Sequence, residues 1–460
     1  MQGSGGLNKF LHQALAHRDA QDMEAAWAAI QRADRSDPQS AFAVAQIALE
    51  TGRPATDLFA AAAPLNPDSP ALIRGYANAL AEAGDLATAT ALLENTLAAN
   101  PGWLDGHQLL GNLRVTSGEA NPARSYAEAC QRDPGNLSLR LAWFQALSVT
   151  RKWAGARAVV ADALAMFGDK PALRSARTYI ASESGDGAGD PTLFDGVADI
   201  ADPGLDIARI RHALRLGDMA RAKAVAERHI GTPTAAIFWP YLSLLWRMTG
   251  DPRAEWLDGA PPPIRSFDLD FTAQELADLS ATLNRLHTAK APYPEQSVRG
   301  GTQTSGQLFF RHDPAIQNAR AKVAVAITAY IARLPLPDAT HPLLAPRRDQ
   351  PIRFEGSWSV RLAAQGFHSR HTHTRGWISS ALYVALPKLD ASPKGWIEFG
   401  APPPELGLDL PAYSQLEPKP GRLVLFPSTL WHGTIPFDDG ERLTIAFDVR
   451  VPTAAPLPGN

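Results

Sequence analysis

Four of the twelve histidines fall between positions 368 and 432. They are His368, His371 and His373 in GFHSRHTHTRGW, and His432 in PSTLWHGTIP. Residues two apart on a strand point to the same face, so His371 and His373 can present their imidazoles together. A third imidazole returning from a distant strand, His432, completes one face of a metal octahedron and leaves the opposite positions for a cosubstrate and oxygen. Further on, Arg442, Thr444 and Ala446 share one face of an apolar strand whose other face carries Leu443, Ile445 and Phe447. An arginine in such a strand needs an anion, and a dicarboxylate cosubstrate would answer both Arg442 and the open metal positions. Blander roles stand beside these. His368 reads as a structural histidine, Arg442 has Asp438, Asp439 and Glu441 within reach in the preceding turn, and Trp377, Trp396 and Trp431 read as core or pocket walls.

The elements that must position these residues are short alternating strands, expected at Ile352–Leu362, Gly376–Leu386, Trp396–Phe399, Gly421–Phe426 and Arg442–Arg450. Two helical stretches, Ala273–Thr288 and Ala315–Arg333, precede them, the pattern of a double-sheet jelly roll flanked by helices. Residues up to about 255 are instead rich in alanine and leucine at helical spacing. Asp37-Pro38, Asn66-Pro67, Asn100-Pro101 and Asp133-Pro134 mark one class of turn there, and Gly52, Gly84 and Gly118 another. Their spacing clusters around the ~34 residues of a tetratricopeptide repeat, which the chain resembles at Gly84, Ala89, Leu93 and Pro101 and again at Leu110, Gly111, Gly118 and Ala123. The expected fold is therefore an α+β chain: an all-α tetratricopeptide-like solenoid over 1–256, a proline-rich hinge over 257–266, and a double-stranded β-helix (jelly roll) over 267–460. Arrays of this kind present a concave face suited to peptides or to self-association, and the sequence leaves the oligomeric state open.

Composition narrows the function. A net charge of -3 supplies no general field for nucleic acid or an anionic membrane. Cys130 is the only cysteine, which rules out an internal disulfide and favours a cytoplasmic address. The opening residues MQGSGGLNKFLHQAL lack the pattern of a signal peptide, and no stretch of ~18 apolar residues predicts a spanning helix.

The region after the hinge resembles the 2-oxoglutarate- and Fe(II)-dependent oxygenases of the prolyl-hydroxylase-like branch. The segments that carry the likeness are RGGTQTSGQLF, HTHTRGWISSALYVALP, GWIEF and PGRLVLFPSTLWHGTIPFDDGERLTIAFDV. The resemblance implies that His371 opens the metal motif, that His432 is the distal ligand, and that Arg442 with Thr444 binds the remote carboxylate of 2-oxoglutarate. It implies also that Tyr383, on a face with Ser379, Ala381 and Ala385, lines the same pocket. Fe(II), 2-oxoglutarate and O2 are then required, with ascorbate as a supporting reductant. The departure lies at position 373, a histidine where the family has an acid, and no acidic residue occurs between Glu355 and Asp390. His373 is taken as the third ligand, with water or Glu398 as alternatives. The resulting expectation is a hydroxylase acting on a protein or peptide captured by the repeats. Its rivals are a repeat scaffold with an impaired jelly roll and a three-histidine cupin-type dioxygenase that does not use 2-oxoglutarate.

Overall fold

The computed structural model describes residues 4–293, 296–388 and 393–452, and Asp390 and the tail from 453 lie outside them. Fifteen α-helices run from Ser4–Asp19 to Arg253–Asp258. Local chemistry sets their ends: Asp37, Asp85, Asn136, Asp202 and Asp218 each accept a hydrogen bond from a backbone N–H in the first turn. Pro38, Pro171 and Pro203 open helices where the missing N–H has no helical partner. Gly118 ends its helix with φ 87, a left-handed conformation that side chains disfavour. The turns at Asn66, Asn100 and Asp133 fall between consecutive helices, and the alanines and leucines between them stack into successive apolar layers along the array. At Gly75 a Cβ would lie 2.5 Å from the Phe59 ring, so this helix pair needs the bare backbone.

Nine strands follow among the described residues: β1 (Arg265–Asp268), β2 (Val298–Gln303), β3 (Phe354–His368), β4 (Gly376–Ala385), β5 (Ile397–Phe399), β6 (Ser414–Leu416), β7 (Arg422–Pro427), β8 (His432–Thr434) and β9 (Arg442–Arg450). They form two antiparallel sheets, a six-stranded one in the order β1-β7-β4-β9-β3-β2 and a three-stranded one in the order β6-β5-β8. Strands β1, β2, β6 and β8 are additions to the five expected from sequence. Three of them are too short, at three or four residues, to show an alternation, and β2 carries two glycines. Helices Ala273–Leu286 and Pro314–Ala332 cover the outer face of the large sheet, meeting Leu443, Ile445, Phe447 and Val449 of β9. Thr272 and Glu275 close a reciprocal capping box at the first of these helices. The inner face of the large sheet looks toward the small sheet, with Tyr383, Val424 and Phe426 against Ile397 and Phe399.

The helical and strand regions share many contacts. Gln21 exchanges two hydrogen bonds of 2.8 Å with the backbone of Phe354, where β3 starts. The N–H of His312 donates to Thr51 O, and that of Lys290 to Thr116 O. In the proline-rich segment, Pro263 O accepts from Tyr330 Oη at 2.7 Å and Ile264 packs between the sheets. Just before it, Asp258 is buried, accepts from Ser243 Oγ at 2.7 Å and lies near Arg247.

Burial raises the Asp258 carboxyl to about 6, against which its bonds to Ser243 and the charge of Arg247 work only partly. A raised acid favours the fold below its unfolded pKa, and that contribution is lost as pH rises through about 6. Asp258→Asn keeps an acceptor for Ser243 and removes the titration. The variant is expected to lose the fall in thermal stability between pH 4 and 7 and to gain about 2 to 3 kcal/mol at pH 7. Melting curves across that range check it, and an unchanged slope would assign the pH dependence to another group.

Candidate metal centre

The link between β3 and β4 carries two of the sequence-selected histidines. It is not the regular strand expected for His371 and His373, because no continuous ladder runs through it. Instead His371 and His432 exchange backbone hydrogen bonds of 2.9 and 3.0 Å as an isolated bridge, and the N–H of His373 donates to Ser428 O at 3.0 Å. These bonds pin the link beside β8, which His432 opens, so imidazoles from two segments meet. Ring centroids lie 4.3 Å apart for His371 and His432, 4.9 Å for His371 and His373, and 5.1 Å for His373 and His432. One ligand nitrogen from each lies within 4.8 Å of the other two, and no carboxylate among the described residues joins the group.

The Nδ1 atoms decide which nitrogens face inward. His371 Nδ1 is 2.8 Å from Ser369 O, His432 Nδ1 is 3.0 Å from Leu430 O, and His373 Nδ1 is 2.8 Å from both oxygens of Asp448. Carbonyl and carboxylate oxygens only accept, so each Nδ1 donates its proton and each Nε2 keeps a free lone pair. Burial, aided by the neighbouring His373, pushes His371 down to about 3, and burial holds His432 well below its usual value. Both are therefore neutral near pH 7, the form that binds a metal. At His373 burial also opposes charge, but the Asp448 carboxylate outweighs it and the pKa is raised.

Asp448 was not singled out by the sequence reading, which followed the inner face of the last strand through Arg442, Thr444 and Ala446 and stopped one step short. The same alternation continues to Asp448, an acid in an apolar strand. Ser379 Oγ donates to Asp448 at 2.6 Å and sits 2.8 Å from Ser428 Oγ. Ser379, which the sequence set beside Tyr383 on the cosubstrate pocket, thus supports His373 through Asp448. Ala385 also leaves that face: the register shifts between Tyr383 and Ala385, and Ala385 packs toward the outer helices. Glu398, the alternative ligand, accepts from Arg370 Nε at 2.7 Å and stands outside the histidine group. His368 lies 6.0 Å from His371, nearly parallel to it, with Nδ1 on Ser297 Oγ at 3.0 Å.

Arg442 is 2% exposed, and its candidate acidic partners bond elsewhere, Asp438 with Lys394, Glu441 with Arg361 and Asp439 with the N–H of Gly440. Among the described residues its guanidinium donates only to neutral oxygens, Gly395 O at 3.0 Å and Thr434 Oγ1 at 3.3 Å, and Nε has no partner. Burial lowers its pKa, and nearby Tyr383, itself pushed up to about 12 by burial, has an unpartnered Oη. Thr444 is buried next along the same face of β9. Thr434 links the two parts of the site, since Oγ1 receives both Arg442 and the N–H of His368, and the strand it ends begins at His432. Buried donors without an anion among the described residues, beside three imidazoles whose Nδ1 atoms are engaged, fit a divalent first-row metal together with a carboxylate ligand.

Comparison with known proteins agrees with this chemistry. Residues 356–448 match the family model described as "Putative 2OG-Fe(II) oxygenase". The strand region carries a 2OG-Fe(II) oxygenase domain. Among solved structures, this domain is similar to a Pseudomonas putida prolyl-4-hydroxylase, at 18% identity over 42% of this chain and 94% of that chain, with a TM-score of 0.30. The helices are similar to a tetratricopeptide repeat protein from Parabacteroides merdae, at 14% identity over 53% of this chain and 99% of that one, with a TM-score of 0.33. HygX from Streptomyces hygroscopicus, solved with nickel and 2-oxoglutarate, is 16% identical over 42% of this chain and 83% of its own, with a TM-score of 0.26. No curated protein matches the chain.

The position of Asp448 in the oxygenase domain generates a test. Asp448→Ala frees the His373 ring and removes its proton acceptor, and divalent metal affinity is expected to fall about 10- to 100-fold. Asp448→Asn keeps an acceptor oxygen and should lose less. Chelator competition measures both, and unchanged affinity in the alanine variant would show that the pair does not support the site.

Proposed function

We propose that the chain is an Fe(II)- and 2-oxoglutarate-dependent hydroxylase, with residues 267–460 as its catalytic unit. His371, His373 and His432 hold the metal through Nε2, and Arg442, Tyr383 and Thr444 receive the remote carboxylate of the cosubstrate. One observation carries this reading: Arg442 is a buried cation with no carboxylate partner among the described residues, joined through Thr434 to the strand of His432. A guanidinium in that state is costly unless an anion arrives. A cupin-type dioxygenase without 2-oxoglutarate has no use for such a receptor.

Bound there, iron with 2-oxoglutarate would supply an oxidation driven by O2, one atom of which enters a C–H bond while the other enters the succinate formed as the cosubstrate loses carbon dioxide. The chain's own residues do the positioning. The three imidazoles would hold the metal through Nε2, Asp448 holds the Nδ1 proton of His373, and Arg442 orients the dicarboxylate by charge-assisted hydrogen bonds. Phe426, 4.6 Å from the His432 ring, and Phe399 exclude water from that side. The substrate in this proposal is a protein or peptide captured by the helical array. Supporting it is a cleft of about 460 Å³ between the first helices, lined among others by Leu15, Phe42, Gln46, Arg74 and Asn78. No helix among the described residues is long and apolar enough to cross a membrane, and the proposed address is the cytoplasm.

Anaerobic protein given Fe(II) and 2-oxoglutarate should develop the weak visible charge-transfer band of the chelated cosubstrate, then release succinate in air. Absence of both would leave a scaffold with an inactive jelly roll. Arg442→Ala should weaken 2-oxoglutarate binding by about 2 to 4 kcal/mol and leave metal affinity within a few fold. Titrations of each ligand separate the two, and equal losses would make Arg442 a structural residue.

A further inference from the structure

The small sheet that presents His432 consists of three strands of three residues each. So few ladder bonds do not fix a sheet by themselves, and its place depends on what it packs against. On one side that is the large sheet. On the other it is the helical region, and the contact is made by the residue before the histidine. Trp431 is 7% exposed and belongs to an apolar core otherwise built by helices between Pro203 and Asp258, together with Leu406. Its Nε1–H donates to Pro240 O at 2.9 Å, and its ring meets Tyr241 edge-on at 5.6 Å.

The helix Trp239–Thr249 holds the sheet at a second point. Trp431 O accepts from the N–H of Gly400, which follows β5, at 2.8 Å, and Gly400 O accepts from Arg247 on that helix. Both strands of the β5 and β8 pairing are therefore tied to one helix of the repeat region, at the end that carries His432.

We propose that this helix positions the third metal donor, with Trp431 as the positioning residue that seats His432 against His371 and His373. The proposal rests on the reading of the three histidines as metal ligands. It makes the helical region part of the metal centre's support as well as a candidate substrate surface.

The test uses the full chain without metal, titrated with Co(II) against a chromophoric chelator, with the visible d–d bands as a record of ligand geometry. Trp431→Phe removes the donor to Pro240 and keeps an aromatic ring in the core. Tyr241→Leu loosens the same seat from the helix side without touching the oxygenase domain. Trp246→Phe is the control, because that ring lies in the same core but meets Trp239 and Trp256 and bonds Glu227. Both seat variants are expected to bind Co(II) about tenfold more weakly with altered bands. The control should stay within about twofold while melting comparably lower. Three variants that melt lower alike, with equal Co(II) affinity and spectra, would overturn the proposal, as would a control that weakens binding as much as the seat variants. Wild-type protein that takes up no Co(II) would remove the metal-centre reading itself, and this inference with it.

Discussion

Strand β9 lies between β3 and β4, hydrogen-bonded along both edges, so its side chains can leave only through the two faces of the sheet. Leu443, Ile445, Phe447 and Val449 go out to the helices, and Arg442, Thr444 and Asp448 go in. Burying four such apolar side chains contributes roughly 6 to 12 kcal/mol. Desolvating one charged group costs several kcal/mol even after the protein relaxes. The outer face is therefore strong enough to hold the inner charges in place, and a slip of one residue would exchange the faces and destroy both core and site.

The two inner charges are treated differently. Asp448 has His373 and Ser379, so its negative charge is matched within the site. Arg442 has only a carbonyl and a hydroxyl, so its positive charge is left for something else. Because His371 and His432 are held neutral, the three-histidine set contributes no anion directly, unlike the acid-containing motif it resembles. In the proposed metal centre Asp448 would restore a negative charge one hydrogen bond farther out, strengthening the donor nitrogen of His373 without occupying a coordination position. On that reading the acid missing at position 373 is supplied from a strand 75 residues later.

What the sequence revealed follows from the range of the forces involved. The helices were legible because caps, turn prolines and apolar spacing are local, and the long strands because period-two alternation shows over nine or ten residues. Strands such as β6 and β8, three residues long, have no period to read, and β8 builds the wall behind His432 together with β5, which lies within the expected Trp396–Phe399. The link bearing His371 and His373 was read as a strand because its spacing suited one, while its actual order comes from Ser428 and His432 across the chain. Arg442 was visible as a misfit in an apolar strand. Asp448 gave the same signal and was missed only because the face was followed three residues instead of four. Nothing near Trp431 announces that its partner is Pro240, 191 residues earlier.

That distant contact also changes how the helical region is to be understood mechanically. Its early helices are fastened to the strand region through Gln21 and Thr51, its middle through Thr116, and its last helices through Pro240 and Arg247. An array joined only by a linker would search a wide volume, and a ligand held in it would reach the histidines at a low effective concentration. An array fastened at both ends and in the middle has little of that freedom. A residue captured in the cleft beside Phe42 and Gln46 would stand at a distance and angle from the histidines fixed by packing. Selection among substrates would then turn on how far the reacting side chain lies from the captured segment. The helices that seat His432 would serve that selection by keeping the frame rigid.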